Sequence, residues 1–224
     1  MTCKQSVKPG LFSLPLSSDR LPSDCLPGFV LTVALSIVLF FISRYSYLLF
    51  HSLVELFSVI VAVMMFIVTW HTYSFSRNNF LMYLGCGYLW IALLDLLHTL
   101  MYEGMTVFPT IIGANPATQF WIAGRYSEAL LLLTAPFFLT RPLHRQYILC
   151  AFASITLVLI SSIFSGFFPD AYQDGVGLTS FKISSEYIII AMNVASAVFF
   201  RTRRSLLPPR MYRIMLIGIT FTVA

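Results

Sequence analysis

Six apolar stretches, each close to 20 residues long, recur along this 224-residue chain, and no other feature restricts its fold so severely. They occupy residues 26–43, 48–70, 79–101, 118–140, 147–168 and 183–200. About 20 apolar residues in helical form cross the ~30 Å hydrocarbon layer of a bilayer. Inside that layer every backbone N–H and C=O must be satisfied within the protein, which leaves helices and closed barrels as the only spanning forms. Stretches of this length are helices, so the sequence predicts an all-α, polytopic transmembrane helical bundle of six full spans. A seventh apolar segment begins near Met211 and reaches Ala224 as "MLIGITFTVA". It is too short to cross, and is expected to be a truncated span of a longer protein or a re-entrant segment.

Composition agrees. Hydrophobic residues make up 58% of the chain and charged residues 10%, against roughly 25% charged in a soluble domain. The net charge of +5 is no nucleic-acid footprint, because most of the basic residues sit in short segments between spans. The four cysteines, Cys3, Cys25, Cys86 and Cys150, have no metal-type or paired spacing, so no disulfide framework is expected. Residues 1–25 form a polar leader without a cleavage site. Leu26–Ile42 then reads as an uncleaved signal anchor opening an integral-membrane domain over 26–224.

Loop charge sets the expected topology. Lys4, Lys8 and Arg20 precede the first span. Arg77 follows the second, Arg141 and Arg145 follow the fourth, and Arg201, Arg203, Arg204, Arg210 and Arg213 follow the sixth. The alternate connections hold Arg44, Glu103, Asp170 and Asp174. By the positive-inside rule the N-terminus is cytoplasmic, in a cell inner membrane, and the loops near 44–47, 102–117 and 169–182 face outward. The connection "EGMTVFPTIIGANPAT" is then an external loop of lid-like length, with turn chemistry at Gly113 and Asn115–Pro116. No internal repeat and no GxxxG is present. Gly85 and Gly87 would allow close helix approach.

Polar residues interrupt the spans at one depth. Counting from the expected outer ends, span two places His51 and Glu55 one to two turns in, and span three places Asp95 and His98 there, with Tyr102 at the rim. Span four adds Trp121, Arg125 and Glu128, and Glu186 of span six is a further candidate. His51 and Glu55 are four apart, Asp95 and His98 three, His98 and Tyr102 four, Arg125 and Glu128 three, so each pair projects from one helix face. A charge at mid-membrane costs about 2.5–3.5 kcal/mol on insertion scales, which turns these faces toward one another. Three carboxylates face one permanent cation, so protonation, His⁺ or a metal is needed to complete the site. His51 and His98 are the candidate metal ligands, and a metal ion or haem is the candidate cofactor. Plainer roles stand beside these: Asp95 pairing with Arg125 to tie two helices, Glu128 as a neutral hydrogen-bonding acid, His51 wetted at the interface, and Tyr47, Tyr102 and Trp121 in an aromatic belt. His71 and His144 are read as solvated, and Asn193 as interhelical glue.

The segments "FHSLVELFSVIVAVMMFIV" (50–68), "NNFLMYLGCGYLWIALLDLLHTLMYEGM" (78–105) and "NPATQFWIAGRYSEALLLLTAPFFL" (115–139) resemble the bacterial membrane-associated sensor domain MASE3, most specifically over residues 50–140. The matching positions are His51, Glu55, Asp95, His98, Tyr102, Gly104, Trp121, Arg125 and Glu128. The resemblance implies an input module of a signal-transduction protein attached to a cytoplasmic histidine kinase or diguanylate cyclase, which would dimerise through that output. The ligand-binding set would be His51, Glu55, Asp95, His98, Tyr102, Trp121, Arg125 and Glu128. An ion or proton-coupled transporter or channel is the alternative, since intramembrane Asp, Glu and His also mark ion routes. An enzyme is not expected in this chain: HExxH, GxSxG and a paired-Asp motif are all missing, and Asp95 and His98 have no evident nucleophile beside them.

Overall fold

The structure, a computed structural model, describes residues 26–105, 107–108 and 113–223. The leader and the centre of the 103–118 loop, where the lid was expected, lie outside the described residues. The chain divides after Tyr47 into two compact units.

The first unit contains helix α1 (Leu26–Tyr45). The hydroxyls of Thr32, Ser36 and Ser43 are satisfied within the helix. Thr32 Oγ1 donates to Gly28 O and Ser36 Oγ donates to Thr32 O, both at 2.9 Å. That is the arrangement required where lipid offers no partner.

From Leu48 onward the second unit holds α2 (Tyr47–Ser76), α3 (Asn79–Leu100), α4 (Asn115–Thr134), α5 (Arg145–Phe164), α6 (Ser180–Thr202) and α7 (Pro209–Val223). A 3-10 turn, Ala135–Leu139, extends α4, and a two-stranded hairpin, β1 (Tyr172–Gln173) with β2 (Gly177–Leu178), precedes α6. Among the described residues six helices are long and apolar enough to cross a membrane, α1 to α6. The chain is an all-α membrane bundle.

Helix ends follow local chemistry. Asn78 caps α3 by accepting from Leu81 N at 3.0 Å, and Thr179 caps α6 by accepting from Lys182 N at 3.2 Å. Several boundaries differ from the sequence expectation, among them the start of α6, at Ser180 rather than 183. α2 runs to Ser76 rather than 70. α4 begins at Asn115 rather than 118, because Pro116 occupies the first turn, where its missing N–H costs nothing. α5 stops at Phe164 rather than 168, where Gly166 takes a left-handed φ of 72°.

α3 is the central helix. Phe80, Met82, Leu84 and Cys86 are all but fully buried, and α3 packs on α4 and α5 while α4 packs on α6 and α6 on α7. Gly85 and Gly87 bring neighbours close on two faces of α3. A Cβ at Gly85 would overlap Thr69 Oγ1 and lie 3.4 Å from the Phe66 Cα of α2, and one at Gly87 would overlap the Leu131 methyls of α4. α2 presents a single stripe to the bundle. His51, Glu55, Val59, Ala62, Phe66, Thr69 and Tyr73, spaced three or four apart, are shielded, while Phe57, Ile60, Met64 and Val68 between them are exposed. In a bilayer that outer face meets lipid.

Side chains pin both ends of the second unit. At the Asn79 end, Tyr73 OH donates to Asn79 Oδ1 (2.7 Å), and Asn79 Nδ2 donates to Arg141 O (3.0 Å). At the opposite end, where α3 finishes and α4 begins, Asn115 Oδ1 accepts from the Ala171 and Tyr172 amides (2.8 and 3.0 Å). There too the buried Gln119 Nε2 donates to Phe168 O and Pro169 O. His71 and His144 are exposed, as expected.

Candidate functional site

The ionisable residues of α2, α3 and α4 assemble as two adjoining groups near the His98 end. The first centres on Arg125. Its Nη2 donates to both Asp95 oxygens, at 2.9 and 3.1 Å, and its Nη1 donates to Glu128 Oε2 at 2.6 Å. Tyr88 OH reaches the other Glu128 oxygen at 3.3 Å. Asp95 and Glu128 are buried, and the Arg125 side chain keeps only 26% of its exposure. Arg125 Nε is buried with no acceptor among the described residues. The expected Asp95–Arg125 tie between two helices is thus present, and Glu128 shares it.

The spacing on each helix makes this possible. Glu128 sits one turn beyond Arg125 on α4, and Tyr88 lies two turns before Asp95 on α3, so all four side chains meet along one seam. Gly124 lets the seam close: a Cβ there would stand 3.0 Å from Asp95 Oδ1. Thr99 Oγ1 donates to Asp95 O at 2.8 Å, keeping its own polar atom within α3.

The second group joins α2 to the end of α3. The His51 and His98 rings meet edge to face at 5.5 Å, and Tyr102 lies against His51 with centroids 4.1 Å apart. One donor atom each from His51, Glu55 and His98 falls within 4.8 Å of the other two. His98 is buried, and its Nδ1 lies 2.8 Å from Ala117 O, a carbonyl that can only accept. The ring is therefore protonated on Nδ1.

A cavity of about 620 Å³ lies against the Arg125 group, and Glu55 is the one member of the second group in its lining. Its polar wall is Tyr88, Asp95, Arg125 and Glu128, joined by Glu55 and Trp121. Val54, Val61 and Met65 of α2 and Met215 of α7 supply an apolar wall. Of the eight expected residues, Glu55, Asp95, Trp121, Arg125 and Glu128 line the cavity, while His51, His98 and Tyr102 form a ring cluster outside its lining. Glu186 does not join them. It pairs with Lys182 on its own helix, and the buried Lys182 ammonium sits 4.3 Å over the Trp121 ring. Tyr88 and Lys182 were missed by the sequence reading. The signal for Tyr88 was its two-turn offset from Asp95, and for Lys182 its place one turn from Glu186. Asn193 is buried on α6, with its Oδ1 unpartnered among the described residues.

Residues 42–224 match the family model of MASE3, a membrane-associated sensor domain. The chain belongs to the MASE3 family. That match takes in α2 to α7, so both polar groups and the cavity lie inside the MASE3 region. No curated protein and no solved structure shows a match. A MASE3 domain is a membrane-associated sensor domain.

Proposed function

We propose that this MASE3 domain detects its stimulus at the cavity between α2, α3 and α4 and passes the change to a cytoplasmic output. The observation that carries the reading is Arg125 held between Asp95 and Glu128, with Tyr88, as the polar wall of a 620 Å³ cavity in otherwise apolar helices. Its volume lies in the range of small-molecule sites, which combine an apolar lining with a few fixed polar groups. The reading takes the N-terminus as cytoplasmic, which the distribution of arginines favours; the His98 end would then face outward, within reach of an external ligand.

Transmission has a candidate element in α2, whose contact with the rest of the second unit is one stripe of side chains. A ligand shifts such packing only through its different affinity for two arrangements, and about 1–3 kcal/mol is an ordinary coupling. Transport is less well supported. Toward the Asn79 end the polar wall gives way to Leu84, Leu131 and Met82, all buried and apolar.

The test is signalling by the chain joined to a cytoplasmic output. His98→Ala or Arg125→Ala should blunt the response while membrane insertion stays normal. A double variant that responds like the parent protein would place the stimulus elsewhere.

A further inference from the structure

We infer that His51, Glu55 and His98 bind one divalent first-row transition-metal ion, and that binding draws the outer end of α2 onto α3. The inference deepens the sensor reading by naming a ligand class, and metal binding itself can be measured apart from signalling.

Three observations converge. First, the donors are already gathered, one atom from each residue within 4.8 Å of the others. A tetrahedral ion with bonds of 2.0–2.1 Å holds its ligands about 3.3 Å apart, so a small inward movement closes the set. His51 and Glu55, four apart on α2, move as one face, and His98 answers from α3.

Second, His98 is prepared as a ligand. The Ala117 carbonyl accepts a hydrogen bond from Nδ1–H, which leaves Nε2 as the lone-pair nitrogen. A ligating imidazole usually has its other N–H anchored in this way, fixing both tautomer and ring orientation. The Tyr102 ring against His51 limits the swing of the second imidazole.

Third, the charge is right. Asp95, Glu128 and Glu55 face Arg125 alone, and Lys182 is matched by Glu186. With the carboxylates ionised, this layer carries two uncompensated negative charges, the charge of one divalent cation. Two imidazoles and one carboxylate suit zinc, copper, nickel or iron, while calcium and magnesium prefer all-oxygen shells. Three protein donors also leave a position open for water, as in exchangeable rather than sealed sites. The three donors converge on one point, which suits a compact ion better than a haem, whose iron offers the protein only two axial positions.

The same stripe of α2 supplies a fulcrum. Thr69, five turns from His51, is a point where Gly85 lets α2 and α3 approach closely. Closing the donors at one end against that fixed contact would rotate the far end of α2, which leads into Arg77.

The test titrates the full chain, purified in nanodiscs, with Co²⁺ and then displaces it with Zn²⁺. The parent protein should show visible d–d bands saturating at one equivalent. His98→Asn retains an amide donor for Ala117 O but removes the metal-binding nitrogen, and Glu55→Gln is isosteric. Each should weaken binding by about 100-fold or more, beyond the ~10–100-fold of an outer-shell change, while His144→Ala, at an exposed histidine away from the three donors, stays within a few-fold of the parent. Calcium and magnesium should not compete. If the parent binds no more cobalt than a His51→Ala/His98→Asn double variant that remains monodisperse, the inference falls and the three side chains are a hydrogen-bonding cluster. Metal bound with unaltered signalling in the Arg125 variant would overturn the sensor reading and leave the metal site standing.

Discussion

Gly124 faces Asp95 so closely that any Cβ at position 124 would stand 3.0 Å from Asp95 Oδ1. The carboxylate cannot easily retreat, because Arg125 Nη2 holds both of its oxygens. Gly124→Ala should therefore be tolerated with a small loss. Gly124→Leu should separate α3 from α4 and cost about 1–3 kcal/mol, the usual range for overpacking. Thermal unfolding in detergent compares the two, and equal stability of the leucine variant would contradict the close approach.

The Arg125 network makes a sharper prediction. Removing one partner from a buried ion pair costs about 3–5 kcal/mol because a charge is left uncompensated, whereas removing all the charges together is often neutral. Arg125→Met should thus strongly destabilise the protein. Adding Asp95→Asn and Glu128→Gln to the same chain should recover most of that loss. Recovery of stability without recovery of signalling would separate the structural from the sensory contribution of these residues.

Much of this was legible in the sequence, for identifiable reasons. The hydrocarbon layer demands a fixed length of apolar helix, so six spans could be counted directly. Charges inside such helices are costly, so Asp95, His98, Arg125 and Glu128 announced a shared interior face. What stayed hidden depends on partners without a sequence signature. The acceptor that fixes the His98 tautomer is the backbone carbonyl of Ala117, which any residue would supply. Tyr88 is one tyrosine in an aromatic-rich chain, and only the meeting of α3 with α4 shows that it reaches Glu128. Lys182 lies in the first turn of α6, where a lysine ordinarily reads as solvated; burial over Trp121 emerges only from packing.

Asn115 predicts the stability of the His98 end. One side chain accepts from two backbone amides of the 170–179 segment and donates to Asp170 Oδ1 at 2.8 Å. Hydrogen bonds of this kind contribute about 0.5–1.5 kcal/mol each. Asn115→Ala should loosen the hairpin, seen as faster amide exchange over residues 170–179. Asn115→Asp keeps the acceptor but sets a second carboxylate against Asp170. It should exchange fast as well, and adding Asp170→Asn should restore protection to the Asn115→Asp variant but not to the alanine variant.

Gly85 and Thr69 offer the most direct handle on how α2 transmits a change. The Thr69 hydroxyl is already bonded back to Met65 O and Phe66 O at 2.9 and 3.0 Å, so it has no easy alternative rotamer when the facing glycine gains a side chain. Gly85→Ala should push α2 away from α3, at a cost of about 1–3 kcal/mol, and weaken any response that needs this contact as a fulcrum. Thr69→Ala deletes the overlapping oxygen but leaves its Cβ 3.1 Å from the new methyl. Combining it with Gly85→Ala should therefore restore stability only in part. Full additivity of the two losses in thermal unfolding would mean that residues 69 and 85 do not touch, and the fulcrum would have to lie elsewhere along the stripe.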